Sequence, residues 1–104
     1  MIELKISENG TLNIELSGDL TLQNITEIKT KIEAELANSK SVVIEHQQAE
    51  SFDVSYLQVL HALYNYTSMN NQVISFNGNH PAEFITLLKN AGDYTLLKKL
   101  DLHN

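Results

Sequence analysis

The sequence predicts an α/β fold with a mixed, mostly parallel sheet of four to five strands, which opens with an antiparallel hairpin and packs with three to four helices. Three observations predict this class. Apolar and polar residues alternate at the start of the chain, apolar residues then recur every three or four positions, and two later apolar runs are separated by a second helical pattern. Strands separated by helices pair in parallel through right-handed crossovers. The length of 104 residues suits one domain, 1–104.

The predicted hairpin consists of the alternating segments 2–6 and 12–16, with the turn-rich tetrad 7–10 between them. Apolar residues occupy one parity of each segment and polar residues the other. One face of the hairpin is therefore expected to be buried and the other exposed. The apolar set is Ile2, Leu4, Ile6, Leu12, Ile14 and Leu16.

A helix is predicted after residue 19, where the apolar period changes. Successive spacings of 3, 3, 4 and 4 residues place one apolar stripe on a single helix face. The start stays open between Thr21 and a capping box formed by Asn24 and Glu27. The stripe consists of Leu22, Ile25, Ile28, Ile32 and Leu36.

The rest of the chain fits strand, helix, strand and helix in that order. The apolar run 42–44 suits a central strand covered on both faces, and 73–76 suits another strand. Apolar residues from about 55 to 69 occupy most of a helix circumference, so this helix is expected to pack on more than one side. A helix over 81–92 is predicted from a proline in its first turn and a terminal glycine. The segment 93–100 fits either a helical turn or a short strand.

Composition argues against several classes of function. Seven Lys, no Arg and thirteen acidic residues give a formal charge of −6, opposite to the positive surface that nucleic acids and anionic membranes require. The absence of cysteine excludes disulfides and thiolate metal sites and fits a reducing compartment. The N-terminus alternates instead of resembling a signal peptide, and no run approaches the roughly 18 apolar residues of a membrane span. We expect a cytoplasmic protein with no nucleic-acid partner and no membrane insertion.

Catalytic and metal-binding patterns are weak. Ser55, Asp53 and a histidine supply the atoms of a hydrolytic triad, but the surrounding sequence lacks the glycines that a nucleophile elbow needs. The histidines form no i, i+4 pair and have no accompanying thiols, which indicates surface or capping positions instead of a metal site. The sequence therefore predicts a non-enzymatic chain with no cofactor and no metal. The histidines are His46, His61, His80 and His103.

The segment 50–58 is the strongest candidate for a functional site. It follows the predicted central strand and begins the most apolar helix, and in open α/β sheets ligands and partners bind at such strand ends. Either Asp53 or Ser55 could cap the helix, because each offers an oxygen to an unpaired backbone N–H.

Three short motifs occur in an informative order. They are Gly18-Asp19-Leu20, Val42-Val43-Ile44-Glu45 and Phe52-Asp53-Val54-Ser55-Tyr56-Leu57. Together they resemble the STAS domain family, whose best-known members are anti-sigma factor antagonists, and the similarity extends over about 12–92. By this resemblance Asp53 matches the motif aspartate, and Ser55 matches the serine or threonine that a partner kinase phosphorylates in many relatives. Val54 and Tyr56 depart from the motif, where a serine and a glycine are usual.

The resemblance implies a non-catalytic regulatory domain that binds a protein partner, an anti-sigma factor or a switch kinase, in bacterial transcription or chemotaxis signalling. Phosphorylation of Ser55 by that kinase, which would carry the ATP and Mg²⁺, would end the binding. The implied partner-binding residues are Asp53, Val54, Tyr56 and Gln58. Asp53 would also orient the serine hydroxyl.

Alternatives remain open at the level of the sequence. Similar domains form small subunits of bacterial lipid-transport ATPases, where the hydroxyl serves an interface and is not modified. A small-ligand sensor that uses the crevice at the strand ends is another reading. The edge of the hairpin could also pair two copies of the chain into a homodimer.

A phosphate on Ser55 would meet little positive charge in the neighbouring sequence. No Lys occurs from 41 to 88, whereas four acidic residues do. Because no cation nearby in the sequence can pair with the phosphate, we predict a switch that repels a partner instead of refolding the domain. The acidic residues are Glu45, Glu50, Asp53 and Glu83.

Overall fold

The computed structural model describes residues 2–102, which form four strands and four helices. In chain order these are β1 (Ile2–Ile6), β2 (Thr11–Leu20), α1 (Leu22–Leu36), β3 (Ser41–Phe52), α2 (Val54–Met69), β4 (Val73–Phe76), α3 (Ala82–Asn90) and α4 (Tyr94–Lys99). The strands lie side by side in the order β1-β2-β3-β4. The first pair is antiparallel and the other two pairs are parallel. The predicted fold class, a mixed sheet that opens with a hairpin, is confirmed.

Alternation along the strands gives the sheet one apolar and one polar face. Leu12 lies beside Ile6 on one neighbouring strand and beside Val42 on the other, and all three belong to the apolar face. This face packs against α1 and α2 in one hydrophobic core. The opposite face stays open to solvent and carries mostly polar side chains. These include Glu3, Lys5, Thr11, Asn13, Glu15, Ser41, Glu45 and Ser75.

The run 42–44 is central in the sheet, but it is not covered on both faces as the sequence suggested. β3 lies between β2 and β4, and Val42 and Ile44 are fully buried on the apolar face. Val43 lies on the open face beside Asn13 and Ser75, where it is only half-buried. The apolar run 42–44 is therefore unbroken because Val43, on the open face, happens to be apolar, and not because both faces of the strand are covered.

The first helix confirms most of the predicted stripe. Four members of the stripe are buried, but Leu22 is 70% exposed because it occupies the first position of α1. The helix starts after Thr21, so the capping box at Asn24 does not form the start. The buried members are Ile25, Ile28, Ile32 and Leu36.

The later helices fit the predicted pattern and settle the open segment. α2 packs against both the sheet and α1, as expected from its apolar circumference. Pro81 directly precedes α3, and Gly92 follows its end with a positive φ of 65°. The undecided segment forms the short helix α4, which buries Leu96 and Leu97. Among the helices within residues 2–102, none is long and apolar enough to cross a membrane.

Candidate functional site at the start of α2

β3 leads directly into α2. The strand continues through Phe52, and Asp53 is the only residue before the first helical residue, Val54. Asp53 has extended backbone angles, and its carboxylate accepts a hydrogen bond from the Ser55 backbone N–H at 3.0 Å. Asp53 is therefore the N-cap of α2, which settles the choice between Asp53 and Ser55.

The Asp53 carboxylate also connects α2 to α1. Its Oδ2 accepts a hydrogen bond from the Leu22 backbone N–H at 2.8 Å. Its Oδ1 accepts a second hydrogen bond at the α2 end, donated by the Ser55 hydroxyl. Burial alone would raise the pKa of Asp53, but the hydrogen bonds from the Ser55 hydroxyl and from backbone N–H groups outweigh burial and lower it. The carboxylate is thus held ionised, and it fixes the direction of the serine hydroxyl.

A second carboxylate, that of Asp19, supports the neighbouring turn between β2 and α1. Its Oδ1 accepts hydrogen bonds from the Thr21 N–H at 3.1 Å and from the Ser51 hydroxyl at 3.0 Å. Hydrogen bonds from Thr21 and Ser51 lower the pKa of Asp19, although the nearby charge of Asp53 opposes this effect. The two aspartates therefore fix the carboxyl ends of β2 and β3 beside each other.

Three of the predicted site residues reach the surface at the first turn of α2. Val54 is 52% exposed, Gln58 is exposed and Ser55 is half-buried. Ser55 and Gln58 line one end of a groove between α1 and α2, in a depression of about 390 Å³. Ser55 is therefore part of the surface at the mouth of this groove.

The groove, which we call the α1–α2 groove, continues along both helices into a more apolar depression of about 320 Å³. The two depressions share Lys29, Glu33 and Val59. The Lys29 ammonium lies 3.8 Å from the Glu33 carboxylate. The apolar part is lined by Ile32, Leu36, Val59, Ala62, Leu63 and Tyr66.

Lys29 adds a positive charge to the groove that Ser55 lines, although the sequence around Ser55 contains none. The stretch 41–88 indeed contains no Lys, but α1 brings Lys29 into the groove that Ser55 lines. Side chains distant in sequence meet here because α1 and α2 pack side by side. The groove therefore combines the ammonium group of Lys29 with the carboxylate of Glu33, and the Asp53 carboxylate adjoins its mouth through the hydrogen bond from Ser55.

Tyr56 does not belong to a partner surface, contrary to the sequence interpretation. Its side chain is 0% exposed, and its hydroxyl lies 2.7 Å from Nδ1 of His46. Successive residues of a helix point about 100° apart, so Tyr56 turns into the core while Ser55 faces the groove. The ring that replaces the usual glycine is consequently not among the groups that line the groove beside Ser55.

The interpretation of the histidines as surface or capping residues is wrong for His46. This side chain is 1% exposed, and its Nε2 lies 2.7 Å from Nδ1 of His80, which is half-buried. His61 instead pairs with Asp93 at 2.8 Å on a partly exposed surface. His103 lies outside the described residues. Within residues 2–102, no three His, Asp or Glu side chains are arranged to hold a metal ion.

Sequence spacing gave no signal for this histidine pair. Thirty-four positions separate His46 from His80. The two side chains meet because β3 and β4 pair in parallel, with Ile44 beside Phe76, and the histidines follow these two residues on neighbouring segments. Burial, and then the nearby His80, lower the pKa of His46 to about 3. Aromatic rings surround the pair, namely Phe52, Tyr56, Phe76 and Phe84.

The sheet offers no crevice of the kind expected for a ligand at a reversal of strand order. Such crevices form where neighbouring crossovers leave in opposite directions. Here the order β1-β2-β3-β4 advances in one direction throughout the described residues. The accessible feature at the strand ends is therefore the mouth of the α1–α2 groove.

Comparisons with known proteins agree with this architecture. The structure of the Bacillus cell fate determinant SpoIIAA in its phosphorylated form matches with a TM-score of 0.70 and 14% identity, over 88% of this chain and 84% of that chain. The anti-sigma factor antagonist SpoIIAA in its unphosphorylated form matches with a TM-score of 0.66 and 14% identity, over 91% and 97%. At such low identity these matches show the fold alone.

Sequence comparison identifies the family. No curated protein sequence matches the chain. A family model described as "Mlab, STAS domain" matches residues 6–97, which is far more than half of the chain. The chain belongs to the STAS domain family.

Proposed function

We propose that this STAS domain is a non-catalytic regulatory module that binds a protein partner at the start of α2 and along the α1–α2 groove. One observation carries the proposal: half-buried Ser55 lines the mouth of the groove, and Asp53 orients its hydroxyl. Val54 and Gln58 supply exposed contact surface on the same turn. The family resemblance, which matches Asp53 to the motif aspartate and Ser55 to the motif serine or threonine, supports this assignment.

The proposed regulation is phosphorylation of Ser55 by a partner serine kinase, which brings its own ATP and Mg²⁺. The N-terminus of a helix favours an anion by about 0.3–1 kcal/mol, so α2 tolerates a phosphate at this position. The phosphate adds about −1.5 to −2 charges beside the ionised Asp53. Lys29 is already paired with Glu33 and offsets only part of this charge. The negative groove would then repel the partner that the unmodified domain binds.

The first experiment asks whether the modification occurs. The protein is recovered from cells that express it naturally, and its phosphopeptides are mapped by mass spectrometry. We expect phosphate on Ser55. Recovery of Ser55 only in unmodified form, under conditions that change the binding of the partner, contradicts the proposed switch.

The second experiment separates the added charge from other effects. Partner recovery is compared for the wild-type chain, Ser55→Ala, Ser55→Asp and the control Ser68→Asp. Ser68 is exposed on α2, thirteen residues or roughly 20 Å further along the helix, so its substitution adds the same charge away from the groove mouth. We expect at least tenfold weaker binding for Ser55→Asp and unchanged binding for Ser68→Asp. Equal binding by both variants excludes repulsion at Ser55.

The apolar part of the groove favours a second candidate function. An interface subunit of a lipid-transport ATPase would use the same groove permanently, with Ser55 unmodified. Burial of apolar side chains such as Val59, Ala62 and Leu63 would stabilise such a complex without any switch. Ala62→Glu places a charge in this apolar part, distant from Ser55. A permanent interface is expected to lose binding with Ala62→Glu while Ser55 carries no phosphate in any growth condition.

A further inference from the structure

A chain of side-chain hydrogen bonds connects the first turn of α2 to the segment between β4 and α3. The Tyr56 hydroxyl lies 2.7 Å from Nδ1 of His46, and Nε2 of His46 lies 2.7 Å from Nδ1 of His80. Exposure increases along this chain, from the fully buried Tyr56 and His46 to the half-buried His80. The chain therefore runs from the core to the surface.

The positions of the protons follow from the requirement that buried donors be paired. Within residues 2–102, the Tyr56 hydroxyl has His46 as its hydrogen-bond partner and no other. If His46 donated through Nδ1, the buried tyrosine hydrogen would have no acceptor, at a cost in free energy. The tyrosine therefore donates to Nδ1 of His46, and Nε2 of His46 donates to Nδ1 of His80. In this arrangement both imidazoles are neutral, and every ring nitrogen inside the chain is occupied.

Within residues 2–102, the hydrogen-bond and ring contacts of the two imidazoles are all with uncharged groups. β3, β4 and α3 present the rings of Phe52, Phe76 and Phe84, and α2 presents Tyr56. Within the described residues, no ion pair or hydrogen bond joins either imidazole to a carboxylate. The other histidine on α2, His61, pairs with Asp93 and is a separate titrating group.

We propose that the Tyr56–His46–His80 chain is an acid-sensitive latch that holds the segment between β4 and α3 against the first turn of α2 and opens when the histidine pair takes up a proton. A proton added to Nδ1 of His80 has two outcomes. It either faces the N–H of His46 and breaks that bond, or it reverses the donors along the chain and leaves the buried Tyr56 hydrogen without an acceptor. His80 is half-exposed and can then turn to water. Tyr56 directly follows Ser55, so opening would also loosen the turn that carries the proposed binding site. The latch goes beyond the proposed function and does not depend on it.

The direction of the pH dependence follows from burial. Burial lowers the pKa of His80 below its ordinary value of 6.5, and burial together with His80 lowers that of His46 to about 3. Unfolded or opened histidines take up protons near pH 6.5, whereas the closed pair does not. Acid therefore favours opening and unfolding. The latch is closed at neutral pH and opens between about pH 6.5 and pH 3.

Amide NMR spectra recorded from pH 7.5 to pH 4 test the latch. We expect the amide resonances of 54–57 and of 77–80 to move with one shared midpoint below pH 6.5, since both segments lose the same hydrogen bonds. His80→Gln keeps an acceptor for Nε2 of His46 but removes the exposed titrating group. In that variant we expect the shared midpoint to fall by at least one pH unit or to leave the range.

Two further variants make the test specific. Tyr56→Phe removes only the hydroxyl, so the transition in 77–80 should persist while that in 54–57 becomes at least twofold smaller. His61→Gln is the matched control, and it should leave both transitions at the wild-type midpoint. Independent midpoints for the two segments in the wild-type protein overturn the latch. An unchanged transition in His80→Gln, or its loss in His61→Gln, overturns it as well.

Discussion

A single carboxylate, that of Asp53, holds the first turns of two helices. We predict that Asp53→Ala lowers the free energy of unfolding by about 1–2 kcal/mol, the usual cost of losing an N-cap. The loss comprises the hydrogen bond from the Ser55 N–H and the bridge to the Leu22 N–H. Urea denaturation of the variant and the wild type measures the difference.

Asp53→Asn divides this loss into its two parts. The amide oxygen can still accept from the Ser55 N–H, but the amide nitrogen that replaces Oδ2 cannot accept from Leu22. We expect a stability between those of the wild type and Asp53→Ala. Wild-type stability for Asp53→Ala would mean that neither hydrogen bond matters for folding.

The sequence could identify some of these residues but not others. A serine and an aspartate before an apolar helix limit the cap to two candidates, because caps depend on neighbouring residues. Tyr56 shows why the rest was missed. Its hydroxyl bonds to His46, and His46 bonds to His80, through contacts that sheet pairing creates and local spacing does not. A glycine-to-tyrosine departure in the motif was the available signal, and it pointed to the surface instead of the core.

At the level of elements, helices were easier to predict than the ends of strands. The stripe of α1 repeats with the helical period, so its position was confirmed. β3 extends to Phe52, eight residues beyond the apolar run 42–44, through a stretch of mostly polar residues in which His46 and Ala49 are buried. Register shifts in its pairing with β2 interrupt the alternation there. Backbone pairing, which leaves little trace in side-chain pattern, therefore sets the length of this strand.

The segment between β4 and α3 depends on Gly78, which has φ = 79°. A Cβ at this position would lie 2.6 Å from Oε1 of Gln47, whose carbonyl accepts a hydrogen bond from the Asn79 N–H. We predict that Gly78→Ala lowers the free energy of unfolding by about 2 kcal/mol. Roughly 1–2 kcal/mol reflects the left-handed backbone, and the remainder reflects the displaced Gln47. Thermal and urea denaturation measure the loss.

Gly92→Ala is the matched control for this substitution. Gly92 also has a positive φ, 65°, but the nearest atom to its Cβ would be a ring carbon of Tyr94 at 3.9 Å. This variant should therefore show the backbone cost alone. If both variants lose the same stability, contact with Gln47 has no energetic consequence.

For the whole molecule, chain direction explains why the helices cover only one face of the sheet. The order β2-β3-β4 advances in one direction, and right-handed crossovers in one direction place α1 and α2 on the same side. The sequence predicts parallel pairing but not this order. If the strand order had reversed direction, the crossover helices would have covered both faces of the sheet. That arrangement is the one the sequence suggested for the strand that contains 42–44. The open polar face is thus a consequence of topology, and residue patterns alone could not reveal it.

The open face places three glutamates in a row across adjacent strands. Glu15 on β2 lies directly beside Glu3 on β1 and Glu45 on β3, and the three line one shallow depression. Like charges at directly opposed positions destabilise a sheet. The open face also carries Lys5, but Lys5 lies beside Asn13 and not directly beside a glutamate of the row. We predict that Glu15→Gln raises the free energy of unfolding by roughly 0.2–1 kcal/mol at low ionic strength.

Salt dependence identifies the cause of this gain. At 1 M salt the Debye length is about 3 Å, so the advantage of Glu15→Gln should largely disappear because the repulsion is screened. Glu8→Gln removes the same charge from the exposed turn between β1 and β2, away from the row, and should give a smaller gain at low salt. Urea denaturation of the three proteins at both salt concentrations measures these differences. Equal gains for the two variants would assign the effect to net charge, whereas a larger gain for Glu15→Gln assigns it to the row.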